Sequence, residues 1–174
     1  MYQIKKRFGN ELHDFREWIT PEAPKVAGYA FRLYDNDRDQ FILNCWEWVC
    51  RNYGYRIERK DFWNFPIETL AHYEEAQENG DIPKQDCEDT TFLLTSLLLA
   101  YTDGAYANVG WCGRELHAWT SVARNGREYI LETTYSGQKA GQLLSTNPWI
   151  PADETPVYAP LYRFDHKEVA DLTR

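Results

Sequence analysis

The chain has 174 residues, 43% of them hydrophobic and 26% charged, with a formal net charge of -8. That length can bury a core without staples, and that balance excludes a mainly disordered chain. The negative charge, with Lys and Arg scattered along the chain, argues against binding nucleic acid or an anionic membrane. An aromatic share of 16%, with seven Trp and twelve Tyr, fits either an aromatic core or a peptide- or sugar-binding groove. Met1 to Arg7 carries charge with no apolar run behind it, and no stretch approaches the roughly 20 apolar residues of a membrane span. The sequence therefore reads as one soluble, cytoplasmic domain over residues 1–174. Cysteines 45, 50, 87 and 112 form no C-x-x-C pair, so reduced thiols and no metal cofactor are expected.

Residues 1–36 are mixed, with a short helix over Glu11 to Ile19 ended by Thr20, Pro21 and Pro24. From Asp37, the spacing of Phe41, Ile42, Cys45, Trp46 and Val49 predicts a helix of about four turns with Cys45 on its apolar stripe and Cys50 beside it. Asp35, Asp37 and Asp39 do not make a calcium loop, because Gln40 stands where glycine belongs and Trp46 where the bidentate glutamate belongs. A short strand over Tyr53 to Ile57 precedes a helix near 66–78, with Pro66 in its first turn and Gly80 beyond its end. Gln85, Asp86 and Cys87 then lead into a segment carrying Phe92, Leu93, Leu94, Leu97, Leu98 and Leu99. Apolar around almost its whole circumference, it reads as a buried helix.

After Thr102, Asp103 and Gly104 the period changes to two, giving strands over Ala105 to Cys112, Glu115 to Arg124 and Arg127 to Thr134. Asn125-Gly126 between the last two is a type I′ hairpin turn. If Arg124 pairs with Arg127, Trp119 faces Glu132 and His117 faces Thr134, which makes His117 and Glu132 diagonal neighbours on one face. Beyond Thr134, Gly137, Gly141 and four prolines mark loops, with an edge strand over Val157 to Phe164 and a polar tail from Asp165.

A cysteine at the first turn of a helix has backbone N–H groups and the positive end of the dipole beside its sulfur, and both favour thiolate. His117 follows 30 residues after Cys87, and Glu132 15 residues after that. In the order Cys, His, acid, imidazole takes the thiol proton and later protonates the leaving group, while the carboxylate fixes the ring's tautomer.

Three segments carry a resemblance: Asp86-Cys87-Glu88-Asp89 with its aliphatic helix, Leu116-His117-Ala118-Trp119, and Tyr129-Ile130-Leu131-Glu132-Thr133-Thr134. Together they resemble the core motifs of the transglutaminase-like cysteine hydrolases and peptidases, relatives of papain. Trp63 to Leu70 is similar to the segment that precedes the cysteine in bacterial members, so the likeness covers about residues 41–134. It implies an α+β, papain-like fold in which the cysteine helix packs on an antiparallel sheet. It also implies a Cys87, His117, Glu132 site that hydrolyses amide bonds of a peptide or protein substrate through an acyl-thioester. The chain departs from the family in having Gln85 where glycine is usual before Asp-Cys, and Glu132 where aspartate is usual. For the oxyanion donor beside the Cys87 N–H, the candidates are Trp63, by its ring N–H, and Gln85, by its amide. Asp86 and Glu88 read as helix N-terminal acids, with calcium ligation, which the resemblance suggests, as the alternative. Transamidation through the same thioester, and an inactive peptide-binding module of the same fold, are the competing readings.

Overall fold

The computed structural model describes residues 2–9, 11–57, 62–134 and 148–173. Near the start, β1 (Gln3–Ile4) and β2 (His13–Asp14) pair antiparallel, and a 3-10 turn spans Phe15–Trp18. The helix expected over Glu11 to Ile19 is therefore only this turn. The Asp14 side chain accepts from the Arg16 N–H, and Glu17 reaches back to the Asp14 N–H, which starts the turn at Phe15. Phe15 and Trp18 are buried. A helix the sequence reading did not predict, α1 (Pro24–Leu33), begins at Pro24. Proline ends a helix that precedes it, but at a first helical position it loses no bond and has the right φ.

Asp37 caps α2 (Arg38–Asn52), accepting from the Gln40 N–H at 2.9 Å, and the predicted stripe with Cys45 and Cys50 is buried. Burial pushes both thiols up, away from reactivity. β3 (Gly54–Tyr55) pairs parallel with β4 (Lys84–Gln85). Between them lies α3 (Pro66–Glu78), followed by Gly80 at φ 70°. Cys87 is the first residue of α4 (Cys87–Leu99), and every residue from Cys87 to Leu98 is buried. The helix packs against α1, α2 and α3, with Leu93, Leu94, Leu97 and Leu98 in a core shared with Ile42, Val49 and Leu70.

Its remaining side rests on an antiparallel sheet of order β10-β9-β5-β6-β7-β8: β5 (Ala105–Cys112), β6 (Glu115–Arg124), β7 (Arg127–Leu131), β8 (Ile150–Pro151), β9 (Tyr158–Phe164) and β10 (Val169–Asp171). This is the α+β, papain-like arrangement expected. Asn125 at φ 52° and Gly126 at φ 75° form the predicted turn, and Arg124 pairs with Arg127, Thr120 with Leu131. β7 stops at Leu131, earlier than expected, because Glu132 has turned its main chain toward α2. β9 is not an edge strand, since β10, drawn from the presumed polar tail, covers its outer side. The expected loop around Gly137 and Gly141 lies outside the described residues. Among the described residues no helix is long and apolar enough to cross a membrane.

A bulge places one extra residue of β9, Leu161, where Val109 pairs with Tyr162 and Gly110 with Pro160. A Cβ on Gly110 would stand 2.3 Å from the Ala159 carbonyl oxygen and 2.7 Å from the Pro160 Cα. Backbone atoms cannot swing aside as a side-chain tip can. Gly110→Ala is therefore expected to lower stability by about 2–3 kcal/mol, read in urea unfolding, by displacing the strand that carries Tyr158.

Candidate active site

The site is assembled from three directions. α4 brings Cys87, with Asp86 as its cap; the Asp86 carboxylate accepts from the Cys87 N–H at 2.8 Å. β6 brings His117, and the segment leaving β7 brings Glu132. His117 Nε2 and Glu132 Oε2 are 2.9 Å apart, as the hairpin register requires. Glu132 is 2% exposed and held from all sides. Its Oε1 accepts from the N–H groups of Thr133 and Thr134 at 2.9 and 3.0 Å. Its Oε2 also accepts from the Tyr158 hydroxyl at 2.7 Å, and its carbonyl accepts from Trp46 Nε1 at 2.7 Å. With only donors around it, the carboxylate acts as acceptor, so the histidine proton belongs on Nε2 and Nδ1 is left with its lone pair.

Tyr158 was not singled out from the sequence. It sits on β9, two strands from His117, and reaches Glu132 on the face where its ring also packs edge-on against Trp119 at 5.1 Å. No local pattern marks such a residue; only the order of strands does. Thr90 of α4 and Thr133 exchange a 3.0 Å hydroxyl bond that fastens the cysteine helix to the acid's segment.

Cys87 is 8% exposed. Its thiol donates to Glu88 Oε2 at 3.3 Å, and among the described residues no hydrogen bond joins it to His117 in this state. The Ala118 backbone N–H is near enough to the sulfur to favour the thiolate. That N–H belongs to the peptide unit joining His117 to Ala118, so the histidine's own backbone lies against the nucleophile. Burial, then Glu88 and Asp86, push the thiol well above its ordinary range, with the Ala118 N–H opposing them. The helix terminus favours the thiolate, but at this sulfur desolvation and two carboxylates outweigh it.

Glu88 in turn is pushed well up by burial and by Asp86 and Asp89, and its Oε1 is buried with no hydrogen-bond partner. A carboxyl whose folded pKa lies above its unfolded one favours the native state below the unfolded pKa and loses that contribution as pH rises through the folded value. In metal-free buffer, Glu88→Gln should raise Tm at pH 7, with a gain that vanishes toward pH 4, as thermal unfolding across that range would show. It should also raise the thiolate fraction of Cys87.

The two oxyanion candidates sit differently. Trp63 is 4% exposed, its ring packed at 5.0 Å from Trp18 and Phe92, and the next residue is tied to α4 by Asp89, which accepts from the Asn64 N–H and side-chain amide at 2.9 Å each. Gln85 commits an amide proton to His72 Nδ1 at 2.9 Å, facing a cavity of about 440 Å³ that also holds Arg56 and Lys84. Near the sulfur itself, the Ala118 N–H, a backbone group that no side-chain motif could reveal, favours the thiolate. Tyr55 on β3 is a further neighbour: Asp86, Cys87, Glu88 and Glu115 all oppose ionisation of its phenol, after burial. Ligand atoms of Asp86, Cys87 and Glu88 lie within 4.8 Å of one another.

A cysteine-headed helix on an antiparallel sheet is also the fold of Legionella pneumophila LapG, a transglutaminase-like cysteine protease, which superposes in its EGTA-treated form with a TM-score of 0.53 at 17% identity, covering 90% of this chain and 87% of that one. Its calcium-bound form gives a TM-score of 0.52 at 18% identity, covering 90% of each chain. No family model and no curated protein matches the sequence.

Proposed function

We propose that the protein is a cysteine hydrolase of peptide bonds. The observation that carries this reading is the His117–Glu132 bond at 2.9 Å, with the carboxylate fully engaged by donors and Nδ1 left as the ring's acceptor. The His117–Ala118 peptide against the sulfur supports it, as does the shared fold with LapG. In the reaction, Nδ1 removes the thiol proton as sulfur adds to the scissile carbonyl. The imidazolium then protonates the departing amine, and water, deprotonated by the same nitrogen, releases the acid and restores the thiol. The thiol must turn from Glu88 to His117 for this to begin.

One LapG structure is calcium-bound, and in this chain Asp86 and Glu88 stand where a cation could be held. Two buried carboxylates, one with an orphaned oxygen, suit a hard cation, which elsewhere takes six to eight oxygens. Asp86 and Glu88 would hold it, and its charge would offset the two groups that disfavour the thiolate. The test of function is mass spectrometry of the protein incubated with a peptide library. A transient acyl adduct on Cys87, converted to free acid in water, supports hydrolysis. Conversion to an amide on adding methylamine, with no acid formed, supports transamidation, and no adduct at all supports a binding module.

A further inference from the structure

The face of the sheet that carries α4 can be followed pair by pair. Ala105 faces Val122, Ala107 faces Thr120, Val109 faces Ala118 and Trp111 faces Leu116. Alternation puts these eight side chains on one side. The Thr120 hydroxyl meets the Thr91 carbonyl at 3.3 Å and the Thr95 hydroxyl at 3.1 Å, so α4 lies across this side. The chain leaves α4 after Leu99 and enters β5 at Ala105, opposite Val122, so the first residue of the helix, Cys87, lies toward the other end of the strip. Ala105, Val122, Ala107 and Thr120 are fully buried and Ala118 is 1% exposed, but Leu116 is 64% exposed and Trp111 42%. The strip therefore runs out from under the helix at its nucleophilic end, and its last pair is a large apolar one that is partly exposed. An indole and an isobutyl group directly across from each other, one step past the sulfur, form a continuous platform.

The same place is acidic. Asp86 and Glu88 flank the sulfur, and their charges, with that of Glu115, all bear on the Tyr55 phenol nearby. A carboxylate on a ligand would be repelled here, whereas a neutral apolar side chain gains from covering the platform.

We propose that Trp111 and Leu116 form the specificity shelf of the Cys87 site and receive a bulky apolar side chain of an extended peptide substrate, next to the bond that is cleaved. This rests on the hydrolase reading above. It makes the shelf, not the aromatic core, the site of selection. Leu116 is 64% exposed and Trp111 42%, so each variant should stay folded, which circular dichroism checks.

The test compares N-acetyl dipeptide fluoromethyl ketones carrying Leu, Ala or Glu at either residue, with iodoacetamide as a probe that needs no recognition. At one of the two positions the Leu ketone should label Cys87 about tenfold or more faster than the Ala ketone, and the Glu ketone slower than both. Trp111→Ala and Leu116→Ser should each shrink the Leu advantage to about threefold or less while iodoacetamide labelling of Cys87 stays unchanged. If iodoacetamide selects Cys87 but Leu gives no advantage, or the advantage survives both substitutions, the shelf is overturned and the hydrolase reading stands. If iodoacetamide does not select Cys87, the hydrolase reading falls and the shelf with it.

Discussion

His117→Ala should slow alkylation of Cys87 at pH 6 by about a hundredfold or more, the scale of a positioned general base. The size follows from what surrounds the sulfur. Burial, Glu88 and Asp86 all favour the neutral thiol, and the Ala118 N–H is the counterweight seen in the structure. Without the imidazole the thiol loses the base that would take its proton. Quantitative mass spectrometry of iodoacetamide labelling reads this directly, and Cys112, partly exposed on β5, supplies an internal rate that should not change. The lost bond to Glu132 should cost about 1–3 kcal/mol of stability, so circular dichroism at the labelling temperature should still show a folded protein.

Glu132→Gln should lower turnover of any peptide substrate by about 10²–10⁴ while keeping nearly the same volume. The amide oxygen can take the place of Oε1 and accept from Thr133 and Thr134, whose N–H groups lie 2.9 and 3.0 Å away. The amide nitrogen then faces His117 Nε2 and the Tyr158 hydroxyl, where it can only donate. Nε2 must become the acceptor, the ring proton moves to Nδ1, and the atom needed as base is blocked. Glu132→Asp tests geometry instead of tautomer. One methylene shorter, the carboxylate can hold the two backbone N–H groups or the His117 and Tyr158 pair, but not both at these lengths. It should fall between wild type and Gln in turnover and melt below wild type.

Much of this arrangement is legible in the residues. Asn125-Gly126 fixes a two-residue turn and with it the register as far as Thr120 opposite Leu131, the residue before Glu132. The apolar circumference of Phe92 to Leu98 announces a helix buried on every side. Other features depend on contacts between distant segments. Tyr158 reaches the acid because β9 pairs with β5, a long-range choice carrying no local signal. β7 ends three residues earlier than its alternation suggested because Trp46, 86 residues away, binds the Glu132 carbonyl. The helix-dipole argument at Cys87 counted local backbone and missed desolvation, which no single segment encodes. Pro24 is at once a stop for the segment before it and the start of α1, and the local sequence does not choose between the two.

The central claim, a nucleophile activated by His117, is tested most directly by site-resolved iodoacetamide labelling of the wild-type protein at pH 6. Judged by burial and local charge, Cys112 should react first, Cys87 behind it, and Cys45 and Cys50 last, since both of these are 0% exposed. The account predicts a different order, with Cys87 modified ahead of Cys112 despite its 8% exposure. Labelling of Cys112 first, with Cys87 as inert as Cys45 and Cys50, would contradict it.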